Sequence, residues 1–245
     1  MLFRSMFYGC TALVLTGVTD TLDLSNITST YYMFQGCSSL TTIDNLNSWD
    51  VSSVTDMQGM FSNCFSFNGN IGSWNVSGVT NMSFMFANTY LFNQNIGSWD
   101  VKNVNGMDSM FLNASVFNQN IGNWFVKNLT SAVYMLDNCG MSQFNYDNLL
   151  VGWSGDTLQS SVTIGVNGLV YSGPPCPSKA AQTYITSTYG WTFVGDTQGT
   201  CCEPSVVSTT NTGYIIQKID PSNGTQTNIF TSSNNNIAAD IEGNF

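Results

Sequence analysis

The chain has 245 residues and a net charge of −10, with 8% charged and 13% aromatic residues. Five Lys and Arg supply no basic stripe to neutralise phosphates, which excludes nucleic acid and an anionic membrane surface as electrostatic partners. Histidine is absent, so Ser-His and Cys-His nucleophile pairs and histidine-bound zinc are excluded too.

At the start, Met1 to Cys10 carries Arg4 but no uninterrupted apolar region, so no secretory leader is read there. Met6-Phe7 is already a repeat motif, and the chain reads as a fragment, a processed product or an array entered midway. No apolar run approaches the roughly 18 residues of a spanning helix, so no transmembrane segment is expected.

Met6-Phe7, Met33-Phe34 and Met60-Phe61 are 27 residues apart, after which the period tightens to 25 through Met85-Phe86, Met110-Phe111 and Met135-Leu136. Trp49, Trp74, Trp99 and Trp124 share the shorter period, as do Val51, Val76, Val101 and Val126. About six copies result, the first incomplete. Fixed-period similarity of this length signals a solenoid, in which no copy can bury its apolar face alone and each stacks on its neighbours. The strictly repeated residues are therefore expected to form the shared core: Trp49, Trp74, Trp99, Trp124, Met60, Met85, Met110, Phe61, Phe86 and Phe111.

Within a copy two rhythms alternate. Val51, Val54, Met57 and Met60 are spaced by three, which predicts a 3₁₀ or irregular turn. Phe67 to Trp74 sets Asn and Gly around isolated apolar anchors, which predicts a short strand pairing with its equivalents in adjacent copies. Asn70, Asn95 and Asn120 would then stand in register as an amide ladder. Cys10, Cys37 and Cys64 share one column with Thr89, Ala114 and Cys139, which reads as a small buried slot. Cys176, Cys201 and Cys202 fall outside the array and are the better disulfide candidates.

The phrases Trp49-Asp50-Val51-Ser52-Ser53-Val54-Thr55-Asp56-Met57-Gln58-Gly59-Met60-Phe61 and Phe92-Asn93-Gln94-Asn95-Ile96-Gly97-Ser98-Trp99 resemble those of the BspA-like leucine-rich-repeat surface proteins, and Tyr146 to Trp153 is similar to the segment that ends such arrays. The resemblance implies a leucine-rich-repeat-like solenoid with short parallel strands and 3₁₀ or irregular turns, displayed at a cell surface and used for adhesion, with no common catalytic site. The residues after Cys201 depart from that pattern.

The expected organisation is a repeat solenoid over 1–145, a C-terminal α+β cap over 146–196 and a hinge over 197–205. A helix is predicted from Ser178 to Thr188. The start of a β-rich domain follows over 206–245, where Tyr214 to Asp220 and Thr225 to Thr231 predict a hairpin like that of a propeller blade.

The fifteen acidic residues are thinly spread. The column Asp50, Asn75, Asp100, Phe125 does not insist on a carboxylate, so it reads as a polar turn position rather than a catalytic one. Asp20, Asp23 and Asp44 could offer oxygens to calcium but lack any calcium-loop spacing. No catalytic residue, metal ligand or cofactor is assigned. Contact candidates are instead the positions that vary between copies: Gln58, Phe84 and Ser109 in one column, and Phe65 and Tyr90 in another, with Val116 approximately aligned. The expectation is a non-enzymatic extracellular or surface module that binds a protein or glycan, or else a structural subunit that binds copies of itself in a virion, filament or surface layer.

Overall fold

The computed structural model describes residues 4–17, 22–201, 205–210, 213–219 and 226–232, with side chains for the first two of these ranges. The chain divides into two compact units, one of residues 1–173 and 177–199, the other of residues 174–176 and 200–245.

In the first unit each copy lies on the next through a rim of backbone hydrogen bonds. Parallel bridges join Ser29 to Asp56, Asp56 to Asn81, Asn81 to Gly106 and Gly106 to Ser131. From there the amides of Met57, Gly59, Phe61 and Asn63 donate to the carbonyls of Asn81, Ser83, Met85 and Ala87 at 2.8–3.0 Å. The intervening amides of Met60, Ser62 and Cys64 donate back three residues within their own copy. One amide in two thus serves the stack while the other curls the chain, and no backbone donor of this stretch is left over.

That alternation requires two left-handed residues per copy. The first column is Ser5, Tyr32, Gly59, Phe84, Ser109 and Tyr134, with φ of 53–61°. The second is Gly9, Gly36, Asn63, Asn88, Asn113 and Asn138. Gly and Asn are the residues that tolerate this region most easily.

The strand expected over Phe67 to Trp74 is not there; the pairing lies in the Thr55 to Asn63 stretch instead. The physical reason is local. The Asn70, Asn95 and Asn120 side chains each accept the amide two residues on, from Gly72, Gly97 and Gly122, at 2.9–3.1 Å. These amides close turns within a copy and form no ladder. The period-three rhythm has a clear counterpart: Val54 donates to the Val51 carbonyl and Met60 to that of Met57.

Inside the rim, like side chains stack on like. Phe34, Phe61, Phe86 and Phe111 follow one another at 5.5–6.1 Å between ring centroids. Phe67, Phe92 and Phe117 form a second pile at 6.1–6.2 Å, and Trp49–Trp74 and Trp99–Trp124 lie at 6.3 and 6.5 Å. The ten repeated Trp, Met and Phe residues named above are all buried. Three of these indoles also reach one copy back: Trp74, Trp99 and Trp124 donate Nε1–H to the carbonyls of Leu46, Ile71 and Ile96 at 2.9, 3.3 and 3.0 Å, whereas the buried Nε1 of Trp49 has no partner. The Trp column therefore supplies both apolar area and a directed bond.

After the last copy, α1 (Gln143–Ser154) is capped by Ser142 Oγ, which accepts the Asn145 amide, and turns Tyr146, Leu149, Leu150 and Trp153 inward. Trp153 Nε1–H donates to the Ile121 carbonyl, so the helix continues the indole column. β1 (Thr163–Gly165) carries the rim on through the Ala132–Ile164 bridge and pairs in parallel with β3 (Thr192–Val194). β2 (Val170–Ser172) pairs in parallel with β4 (Thr197–Gly199), so the stretch expected as a hinge from 197 opens with a paired strand. α2 (Pro177–Tyr189) lies between them in sequence, with Pro177 at its first position and Gly190, φ 71°, just past its end.

In the second unit a disulfide joins Cys176 to Cys201, while Cys202 lies outside the described residues. β5 (Ser205–Thr210), β6 (Gly213–Ile219) and β7 (Gln226–Ser232) form one antiparallel sheet in that order. Among the described residues no helix is long and apolar enough to cross a membrane.

The indole bond can be weighed separately from its ring. Trp99→Ala should lower the unfolding free energy by about 3–5 kcal/mol through loss of buried volume. Trp99→Phe keeps a ring but loses the donor to Ile71, and should cost about 0.5–1.5 kcal/mol from that bond on top of a smaller packing loss. Urea denaturation of both variants checks the order; a Phe variant as weak as the Ala variant would place the whole contribution in the indole.

Candidate binding face

The positions that sequence reasoning singled out fall in or just after the hydrogen-bonded rim. Gln58 is half-buried and bonded between copies: its Oε1 accepts from Asn81 Nδ2 at 2.9 Å and its Nε2 donates to Tyr32 Oη at 3.5 Å. It therefore tightens the stack more than it faces outward. Phe84 is 37% exposed, whereas Ser109 is only 3% exposed and offers no surface. The rim register also corrects the column. Gly59, not Gln58, stands with Phe84 and Ser109, and the next member is Tyr134, 56% exposed.

Phe65 and Tyr90 are both exposed and stack on each other at 5.3 Å, nearly parallel. Val116 aligns with Leu91, one residue further on, and both are exposed. The structure thus brings together two apolar rows on the outer side of one segment of each copy, one at the first left-handed position and one just past the second.

Between these rows runs the amide ladder that sequence reasoning placed elsewhere. Asn88 Nδ2 donates to Asn63 Oδ1 and Asn113 Nδ2 to Asn88 Oδ1, both at 2.8 Å, and Asn138 Nδ2 donates to Asn113 Oδ1 at 3.1 Å. Asn167 of the terminal segment adds another rung at 3.4 Å. The signal was present in the chain: a column holding only Gly and Asn marks a left-handed residue. A second set of amides lies nearby in sequence, where Asn68 and Asn93 accept the backbone amides of Asn93 and Asn118.

Charge on this face is sparse. Asp56, Asp108 and Asp137 are its acids, and no Lys or Arg occurs in residues 29–39, 56–66, 81–91, 106–116 or 131–141. The acids are already occupied: Asp56 accepts from Ser29 Oγ and the Gln58 amide, and Asp108 from Ser131 Oγ and the Val133 amide.

Elsewhere the polar groups serve turns. Asp50 accepts both the hydroxyl and the amide of Ser52, which hold its carboxyl below the usual range, and Asn75 makes the same pair of bonds to Ser77. In the cysteine column, Cys37, Cys64 and Thr89 donate to the carbonyls of Phe7, Phe34 and Phe61 one copy back. Burial pushes the Cys37 and Cys139 thiols up to about 11 and that of Cys64 higher still. Such thiols are poor nucleophiles. Among the described residues, no three His, Cys, Asp or Glu gather as a metal site. A cavity of about 430 Å³ opens between the last copy and α1, lined by Gly122, Trp124, Phe125 and Asp156, with Trp124 itself buried.

Two measurements follow from these columns. Asn88→Ala loses two amide bonds and puts an alanine at φ 58°, and should destabilise by about 2–4 kcal/mol. Asn88→Gly loses the same bonds without the strain and should recover about 1 kcal/mol, reversing the usual Ala–Gly order; denaturant midpoints decide it. In native protein at pH 8, iodoacetamide should leave Cys37, Cys64 and Cys139 unmodified until denaturant is added, and mass mapping that finds native Cys64 alkylated would show that the copies part locally.

Neither a curated protein nor a solved structure matches the chain. A family match covers residues 1–89 and 28–153, which together span more than half of the chain and include every rim residue from Ser5 to Cys139. The chain belongs to the family described as Mycoplasma protein of unknown function, DUF285.

Proposed function

We propose that the chain is a BspA-like, leucine-rich-repeat-like solenoid acting as a non-enzymatic binding or adhesion module outside the cell or on its surface, where its rim face takes a protein or glycan partner. The observation that carries this reading is the pair of exposed apolar rows, Phe84 with Tyr134 and Phe65 with Tyr90 and Leu91, held at fixed spacing on either side of an amide ladder. Exposed apolar side chains gathered into a patch, unlike ones scattered singly, mark interaction surfaces. Backbone and amide hydrogen bonds tie each copy to the next beneath these side chains, which preorganises them and lowers the ordering cost of binding. The absence of histidine and the raised thiols also suit a binding role.

The rival role, a subunit packed among copies of itself, draws on the same exposed rows and on the low content of charge. Light scattering separates the two. A binding module should stay a monomer at micromolar concentration and be retained reversibly on intact cells or matrix-coated surfaces, with retention falling about tenfold or more in a Phe65→Ser, Tyr90→Ser double variant. Concentration-dependent polymers that the double variant dissolves would overturn adhesion and favour assembly.

A further inference from the structure

The first left-handed column alternates in size. Tyr32, Phe84 and Tyr134 are aromatic, whereas Gly59 and Ser109, in the copies between, are small. The alternation is spatial as well. A Cβ on Gly59 would lie 2.0 Å from two carbons of the Tyr32 ring, so that ring lies over the glycine of the next copy. Ser109, next above Phe84, is buried. Next to Tyr134, a Cβ added to Gly165 of β1 would lie 2.3 Å from the Tyr134 backbone, so β1 packs closely against it.

Bulky residues at positive φ are outliers, and glycine at 59 shows that the column accepts the unstrained choice. An exposed Phe and Tyr at such positions therefore need a return beyond chain geometry. Covering a small neighbour is part of it, but Phe84 and Tyr134 still leave 37% and 56% of their surface in solvent.

Their spacing indicates what could use that surface. Hydrogen-bonded backbones stand about 4.8 Å apart, so aromatics in every second copy recur at about 9.6 Å along the rim. That is close to the repeat of an extended β-1,4-linked disaccharide unit, in which alternate sugar rings present the same face. The Asn63–Asn138 ladder runs alongside, four residues further on in each copy, and offers amides at the edge of such a track. From Ser29 to Met141 the rim segments hold acids and no base, while Arg4 ahead of them lies over the Tyr31 ring, so along the Phe84 to Tyr134 stretch charge complementarity favours an uncharged chain over a polyanionic one.

Resting on the binding-module reading above, we propose that this rim binds an extended, neutral β-1,4-linked polysaccharide, with Tyr32, Phe84 and Tyr134 stacking on every second sugar. The apolar faces of the sugars lie on the rings and their hydroxyls meet the amides.

Calorimetry of the full chain with cellobiose, cellohexaose and chitohexaose tests this, with heparin as the charged comparison. The hexasaccharides span more than one aromatic and should bind about tenfold or more tighter than the disaccharide, while heparin should not bind. Phe84→Ser and Tyr134→Ser, which place in the column a residue it already holds at Ser109, should each weaken hexasaccharide binding about fivefold to tenfold. Phe125→Ala, which removes an exposed ring outside the rim, should leave it unchanged. Binding independent of chain length, equal loss with Phe125→Ala, or no binding to either hexasaccharide would overturn the polysaccharide track. Retention on cells or matrix that persists without hexasaccharide binding would overturn this inference alone and leave the adhesion reading in place; loss of both would remove the two together.

Discussion

Everything described in the first unit depends on the alternate amides of the Met57 to Asn63 stretch and its equivalents. Because Met57, Gly59, Phe61 and Asn63 donate to the next copy while Met60, Ser62 and Cys64 donate within their own, the chain advances by one backbone spacing per copy. That spacing is what lets a Phe meet a Phe and a Trp meet a Trp. Rings at 5.5–6.5 Å contact their equivalents directly, so a residue type that packs well in one copy packs equally well in the next. Identity down a column is thus a consequence of stacking geometry. The ring spacing is wider than the roughly 4.8 Å of hydrogen-bonded backbones, so the copies splay from the rim towards the Trp side.

The same pattern explains which polar residues recur. A left-handed residue two before each inward Phe and another two after it are required for the amides to alternate, and these become the Tyr32–Tyr134 and Asn63–Asn138 columns. The Cys, Thr and Ala column sits one residue past the second of these; Cys37, Cys64, Thr89 and Ala114 are buried there, the first three with Sγ or Oγ1 on the Phe carbonyl of the previous copy, whereas Cys10 is exposed and Cys139 half-buried, against the buried slot expected for the whole column. Ala114 lacks that bond and is still accommodated, so the slot selects for size first and for a donor second.

Part of this was legible in the chain. The buried Trp, Met and Phe columns follow from the period, because a residue repeated in every copy must meet itself. The spacing of Leu149, Leu150 and Trp153 marks α1 in the same way, and the helix predicted from Ser178 to Thr188 and the strand-like runs Tyr214 to Asp220 and Thr225 to Thr231 fall within one residue of the ends of α2, β6 and β7. The pairing segment was not legible, since Asn and Gly around Phe67 to Trp74 look extended while forming local turns. Within the rim, the 25-residue period that takes Met60 to Met85 also takes Gly59, and not its neighbour Gln58, to Phe84, and the shared positive φ agrees with it.

Variation within a column carries information that repetition does not. Where the chain repeats without exception, as at Met60, Met85 and Met110, the side chain is buried and its identity is set by its neighbours. Where a column mixes sizes at an exposed position, packing alone does not choose the residue. Tyr32, Gly59, Phe84, Ser109 and Tyr134 share one backbone conformation, so conformational preference would select glycine throughout. Requiring every side chain to cover its neighbour would select aromatics throughout, but adjacent rings cannot both lie flat over the next copy at this spacing. Alternation satisfies the second demand at every other copy, and it also leaves the rings separated by twice the copy spacing instead of stacked edge-out as Phe65 and Tyr90 are. Separated rings recur at twice the copy spacing along the rim, and that is the geometry on which a flat, periodic ligand could lie.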